Sequence, residues 1–140
     1  MTNNDKKLWR ERWLSCINEL TSLDLQRKSW LDNTHSNPHW TFVEFMCSYF
    51  DDLAIDENYK YQLDKDWVTN NEFEIIEDWH NALDKYNSSK NDYDNEAILN
   101  DPEWLKILQI GVATRNNLAK ILNDTEKQFL NDKIDNLKHI

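Results

Sequence analysis

The sequence predicts an all-α fold, and three observations lead to that prediction. Its 140 residues include only one glycine and two prolines, whereas a sandwich or barrel needs a turn residue at roughly every 8–12 positions. Seven Trp, five Tyr and five Phe supply the apolar surface for a core, although the hydrophobic content is only 39%. Apolar residues also recur at helical spacing. We therefore expect a single helical domain over residues 1–140, a bundle of five or six helices around a central aromatic-rich helix at about 38–53.

The N-terminal third predicts two helices and a polar loop. The apolar stripe of the first predicted helix, at 6–20, consists of Trp9, Trp13, Ile17 and Leu20. A short helix should follow at 23–31, and the polar residues at 32–37 then predict a loop.

The most apolar stretch of the chain predicts the central helix. Pro38 follows Asn37, so that a polar cap precedes a proline in the first helical turn. Apolar residues then point in almost every direction around the helix axis, as expected of a mostly buried helix. They are Phe42, Val43, Phe45, Met46, Tyr49, Phe50 and Leu53.

The second half predicts two further long helices and a shorter last one. Residues 54–68 have no clear period and predict an irregular or short helical connection. Thr69 and Glu72 form a capping box that should open a helix reaching about residue 86. A loop is expected at 87–95. Asp101 and Pro102 provide the cap and first-turn proline of a helix at 102–122.

Within that helix Gly111 predicts close contact with a neighbouring helix, because a mid-helix glycine otherwise only costs stability. Val112 and Ile121 should thicken its apolar stripe. The last helix is expected at about 124–137, with Ile134 and Leu137 on its apolar side.

The negative charge is concentrated in the middle of the chain. Residues 51–103 contain sixteen acidic residues and four lysines, a local net charge of −12, while the whole chain carries −10. The same segment also contains seven aromatic residues: Tyr59, Tyr61, Trp67, Phe73, Trp79, Tyr86 and Tyr93. Acidic groups beside rings suit a basic protein partner better than nucleic acid or a membrane. We interpret part of this charge, from Glu72 to Asp84, as the outer face of one helix.

The residue patterns predict no enzyme, cofactor or metal site. Glu74, Glu77 and Asp78 have the helical spacing of a carboxylate–metal site, so a nucleotide hydrolase of helical type is the alternative, but no matching second helix is evident. Histidines at 35 and 39, or His80 with Asp84, provide too few ligands. A structural or adaptor module is a further alternative.

The cysteines and the hydropathy of the chain predict a cytoplasmic protein. The sequence does not predict the oligomeric state. Cys16 and Cys47 lie on apolar helical stretches and read as free thiols of a reducing compartment. No apolar signal core or membrane-length run is present.

The chain resembles the small acidic immunity proteins that bacteria encode beside contact-dependent or secretion-delivered toxins. The resemblance lies in size, acidity and composition, in residues 29–32 (SWLD), in residues 38–53 (PHWTFVEFMCSYFDDL) and in the acidic tract that follows. It implies an inhibitor that covers the active site of a cognate toxin domain, often a basic nuclease.

Together, the charge pattern and the resemblance predict a non-enzymatic, protein-binding inhibitor that neutralises a basic toxin. The partner-binding residues expected from the sequence are Asp51, Asp52, Asp56, Glu57, Tyr59, Tyr61, Asp64, Asp66, Tyr93 and Asp94.

Overall fold

The computed structural model describes residues 3–30, 41–55, 57–87 and 95–130, and most of these residues are helical. These residues contain eight α-helices and no strand, which confirms the all-α prediction, although five or six helices were expected. The helices are α1 Asn3–Leu20, α2 Leu23–Trp30, α3 Phe42–Cys47, α4 Lys60–Asp64, α5 Asn70–Asn87, α6 Asn95–Leu99, α7 Pro102–Ala119 and α8 Asp124–Leu130. A π-helical turn, Ser48–Asp52, continues α3, and a 3-10 turn, Glu57–Tyr59, precedes α4.

Aromatic residues from four helices form one end of the core. The Trp104 ring of α7 lies 5.5 Å from Phe42, 5.8 Å from Trp30 and 5.1 Å from Tyr86, measured between ring centroids. Its Nε1 donates a 3.1 Å hydrogen bond to Oε1 of the buried Gln26. These contacts bring α2, α3, α5 and α7 together, while α1 packs against α2, α3, α7 and α8.

The central helix is confirmed over the residues that the structure describes. Phe42, Phe45, Met46 and Tyr49 are at most 3% exposed, so this helix buries most of its large side chains. Its predicted start at Pro38 and the predicted loop at 32–37 lie outside the described residues. The same is true of residues 88–94 of the expected loop and of residues 131–137 of the last helix.

Both predicted helix caps are present. The Thr69 hydroxyl accepts a 3.1 Å bond from the Glu72 amide, and the Glu72 carboxylate accepts a 2.9 Å bond from the Thr69 amide. Asp101 accepts from the amide of Glu103 at 3.0 Å at the start of α7. These local devices satisfy backbone donors that a helix start leaves without partners.

Four details of the sequence interpretation are corrected. Helix α6 was not expected, and α7 ends at Ala119, before residue 122. Val112 and Ile121 are 38% and 49% exposed, so they do not thicken the buried stripe of α7. Glu72 belongs to the core, at 4% exposed, because Arg10 from α1 pairs with it there.

Gly111 lies where α7 touches both α5 and the end of α1. A Cβ atom at this position would lie 2.5 Å from Cγ2 of Thr21 and 2.9 Å from Nε1 of Trp79. The prediction of close helix contact is therefore confirmed. The missing side chain makes room for a buried tryptophan ring.

Gly111→Ala should destabilise the protein, although alanine is the better helix former by about 1 kcal/mol. We expect a net loss of about 1–2 kcal/mol, because the added methyl group must displace the Trp79 ring or Thr21. Urea unfolding measures this loss. The control is Asn116→Ala at an exposed position of the same helix, which should not lower stability; equal effects of the two variants would contradict the close contact.

Candidate protein-binding surface

Four of the predicted interface aspartates lie on the surface. We call residues 51–66 the acidic segment; it begins in the π-helical turn and ends just after α4. Asp51, Asp52, Asp64 and Asp66 are exposed in it. Asp56, Tyr93 and Asp94, and the side chain of Glu57, lie outside the part of the chain that the structure describes.

The expectation that Tyr59 contacts a partner is wrong. Its side chain is 0% exposed, and its hydroxyl accepts a 3.0 Å hydrogen bond from Nε1 of Trp13. It also hydrogen-bonds to the hydroxyl of Tyr49, and its ring packs against His80. Tyr59 is therefore a core residue that anchors the acidic segment from beneath.

Tyr61, two residues later, does face solvent. It is 43% exposed, and its ring meets the edge of Trp67 with a centroid distance of 5.8 Å. The ammonium of Lys65 lies 5.8 Å from the centre of the Tyr61 ring. Tyr61 thus combines an exposed aromatic surface with a hydroxyl, the combination that is enriched at protein interfaces.

Two of the aspartates have basic neighbours. Asp52 pairs with Arg12 at 3.3 Å and Asp64 with Lys60 at 2.9 Å, and more than half of each of these side chains is exposed. Water screens such pairs strongly. Within the described residues Asp51 and Asp66 form no ion pair, so the surface keeps a net negative field.

The backbone of the acidic segment is unusual. Among the described residues, all the non-glycine residues with positive φ fall within it or at its edge: Ala54 (54°), Asn58 (56°), Tyr59 (68°) and Asp66 (59°). Each such conformation costs on the order of 1–3 kcal/mol and persists only where the surroundings enforce it. The described residues of the segment therefore hold a conformation that Ala54 and Tyr59 in particular do not prefer.

Hydrogen bonds from buried side chains enforce this conformation. Nε1 of Trp9 donates to the carbonyl of Leu53 at 3.0 Å. The buried amide of Gln62 donates to the carbonyls of Leu53 and Ala54, both at 3.2 Å. At the other end, Arg10 donates to the carbonyl of Trp67 at 2.6 Å. Helix α1 thus holds both ends of the acidic segment.

Arg10 also binds two carboxylates. It pairs with Glu72 through 2.9 and 2.7 Å bonds and with Glu126 through 2.7 and 3.2 Å bonds. Burial alone would raise the pKa of Glu72, but the hydrogen bonds from Arg10 and Thr69 outweigh it and lower that pKa below 4.5. Burial alone would lower the pKa of Arg10, but Glu72 and Glu126 outweigh this effect and raise that pKa above its ordinary value.

The buried cluster of Tyr49, Tyr59 and His80 is closed to solvent. The Tyr49 hydroxyl lies 2.8 Å from Nδ1 of His80, and all three residues are at most 4% exposed. Burial lowers the pKa of His80, with Asp84 opposing, and burial raises the pKa of both tyrosines. The cluster holds neutral groups in place beneath the surface.

The carboxylates of α5 do not form a metal site with other described side chains, and the two cysteine thiols are not activated. Glu74 and Asp78 are exposed on α5, with Glu77 half-buried beside them. Among the described residues no three His, Cys, Asp or Glu side chains are grouped to hold a metal ion. Cys16 is buried and Cys47 is exposed. Burial raises the pKa of the Cys16 thiol, and partial desolvation together with Asp51 raises that of Cys47. Both thiols therefore disfavour the reactive thiolate.

Sequence reasoning missed the residues that support the surface, because Trp9 and Arg10 read as ordinary helix positions and Gln62 lies in a stretch whose period was ambiguous. The one available signal was Arg10 beside the apolar stripe of α1, a position where a charged side chain needs a partner.

None of the described helices has the length and apolarity needed to cross a membrane. Comparison with protein-family models, curated proteins and solved structures gives no match for this chain.

Proposed function

We propose that this chain is a bacterial, cytoplasmic immunity protein that binds a basic toxin and blocks it without catalysis. The observation that carries the proposal is the acidic segment, which presents four exposed aspartates and Tyr61 on a backbone held from beneath by hydrogen bonds. Aspartates steer a basic partner, and the aromatic side chain supplies contact area.

The fixed conformation of this surface favours tight binding. A binding segment whose backbone is already ordered loses less conformational entropy when the complex forms. The positive φ angles of Ala54, Asn58, Tyr59 and Asp66 show that the fold maintains a conformation that costs stability. Such strain concentrates at functional sites. A surface of this kind suits an inhibitor that must bind before the toxin acts.

The test neutralises the surface without changing its shape. In the surface variant Asp51, Asp52, Asp64 and Asp66 are all replaced by asparagine. As the partner we expect a basic toxin domain encoded in the reading frame next to that of this chain. We expect the surface variant to associate at least tenfold more slowly at low salt, because its steering charges are gone. Stopped-flow or surface-plasmon measurements at about 50 and 500 mM salt should show a strong salt dependence only for the unmodified protein.

A matched control variant removes the same charge elsewhere. It replaces Glu74 and Glu96 by glutamine and Asp78 and Asp84 by asparagine, which are also exposed acidic residues. Cells that express the toxin domain should grow with the unmodified protein or the control variant and should not grow with the surface variant. Equal association rates for both variants, or a rate of the unmodified protein that does not depend on salt, would contradict the proposed surface. If the neighbouring domain binds without harming cells, the immunity function is wrong.

A further inference from the structure

A groove of about 440 Å³ lies between α1, the π-helical turn and α8. Leu8 and Phe129 provide apolar walls, Ser48 lies on the side of the π-helical turn, and Glu19 lies on the α1 side. Leu8 is 56% exposed, the largest exposed fraction among the large apolar side chains that the structure describes. The groove combines exposed apolar surface with a carboxylate.

The groove adjoins the acidic segment. Arg12 lines the groove and pairs with Asp52 of the acidic segment at 3.3 Å. Glu11 also opens on the groove. Two carboxylates therefore face one guanidinium that already has a partner outside the groove, so the lining favours a cation over an anion.

Glu19 has no partner of its own. Within the described part of the chain its carboxyl forms no hydrogen bond and no ion pair, although the residue is half-buried. Burial raises the pKa of Glu19 to about 7, and Arg12 only partly opposes this effect. A partly desolvated carboxyl in a cleft, with no donor beside it, is typical of a binding position that a ligand completes.

We propose that the groove receives an arginine or lysine side chain of a basic protein partner, whose cation meets Glu19 while its aliphatic stem lies against Leu8 and Phe129. The stem of such a side chain covers apolar surface while its charged end reaches a carboxylate. The identity of the partner as a toxin rests on the proposed function; the preference of the groove for a cation does not.

Binding of a cation should depend on pH. The ionisable groups that line the groove with Glu19 are Glu11, Arg12 and Cys16 on α1, and Asp52 on the π-helical turn pairs with Arg12. A bound cation favours the ionised carboxylate and so lowers the pKa of Glu19. Affinity should therefore rise with pH from 6 to 8, and binding near pH 7 should release a proton. A neutral or anionic occupant would leave this pKa unchanged or raise it.

The experiment uses the peptide acetyl-Leu-Arg-Leu-amide as the probe and the peptide with citrulline, the uncharged analogue of arginine, as its control. Carbon-13 NMR of the glutamate carboxyl groups reports the pKa of Glu19 with and without each peptide. We expect the arginine peptide at saturation to lower it by about one unit, which corresponds to a tenfold coupling. The citrulline peptide should cause no shift. Equal binding of both peptides, or an unchanged pKa, overturns the proposal.

The variants Glu19→Gln and Glu11→Gln remove the same charge from the same groove. Glu19→Gln should weaken binding of the arginine peptide about tenfold, and Glu11→Gln should weaken it less, because the proposed cation meets Glu19. Glu19→Gln should also raise the melting temperature at pH 8. A carboxyl whose pKa is higher in the folded chain destabilises that chain once it ionises, so a higher melting point shows that the variant folds.

Two outcomes assign the groove to another occupant. If the protein alone forms dimers that Glu19→Gln dissociates, a second copy fills the groove and the proposal is wrong. If the arginine peptide binds as expected while the neighbouring toxin domain does not, the groove preference stands and the proposed function fails. If the toxin domain binds but Glu19→Gln changes neither its affinity nor that of the peptide, the groove proposal fails alone.

Discussion

Arg10→Met should reduce the free energy of unfolding by about 3–5 kcal/mol at pH 7. The substitution keeps most of the aliphatic length of the side chain but leaves Glu72, which is 4% exposed, without its 2.7 Å partner. It also removes the donor to the carbonyl of Trp67, which fixes one end of the acidic segment. Urea unfolding followed by tryptophan fluorescence measures the loss.

Arg12→Met is the matched control for Arg10→Met. Arg12 lies two residues further along α1, and its ion pair with Asp52 is more than half exposed on both sides. Exposed pairs contribute about 0–1 kcal/mol, so the control should remain within that range. Losses of equal size in the two variants would show that Glu72 is not held in the way the geometry indicates.

Acid should reduce the difference between Arg10→Met and the unmodified protein. Because the pKa of Glu72 is lower in the folded chain than its ordinary 4.5, the unfolded chain takes up a proton first as the pH falls. The stability that this carboxylate contributes is therefore complete above about pH 4.5 and decreases below it. In the variant the burial of Glu72 is no longer opposed by Arg10, so its ionised carboxylate costs stability there. The two unfolding free energies should therefore be furthest apart near pH 8, approach each other as the pH falls, and converge below pH 4.5.

Tyr59→Ala should be the second large effect, a loss of about 3–5 kcal/mol. The substitution empties a fully buried site and leaves Nε1 of Trp13 and the hydroxyl of Tyr49 without their shared partner. The acidic segment should also lose its order. Hydrogen exchange at the amides of residues 60–66 should accelerate more than exchange within α7, since only the former are anchored through Tyr59.

Two variants separate the causes of that loss. Tyr59→Phe keeps the ring and should cost about 1–3 kcal/mol, the penalty for leaving a buried donor without a partner. Tyr61→Ala removes a ring that is 43% exposed and should change stability by less than about 1 kcal/mol. Under the proposed function Tyr61→Ala nevertheless weakens partner binding. If Tyr61→Ala proved the more destabilising variant, the assignment of Tyr59 to the core would be wrong.

The helices were predictable because their signals are local. The capping box of Thr69 and Glu72, and the cap and proline of Asp101 and Pro102, act within four residues of chain. The apolar stripe of α1 needs only its own period. Helix α6 was missed because five residues, Asn95–Leu99, are too few to show a helical period.

The candidate surface was only partly predictable. The sequence located the negative charge in residues 51–103 and indicated that part of it would face a partner. It could not distinguish Tyr59 from Tyr61, because Tyr59, Tyr61 and Leu63 alternate as in a strand while Tyr59 and Leu63 also fit one helical turn. Two residues in the left-handed region, Asn58 and Tyr59, turn the backbone there. That turn places one tyrosine in the core and the other on the surface.

The sequence by itself determined the all-α class, most of the long helices and the position of the acidic tract, since composition, caps and periodicity require no knowledge of distant residues. Tertiary structure decided which charges are buried and which are presented. Glu72 became a core residue because Arg10, 62 positions away, pairs with it. The conformation of the acidic segment likewise depends on Trp9, 44 positions before Leu53. Such contacts have no signature in the local sequence, because they arise only when separate helices pack together.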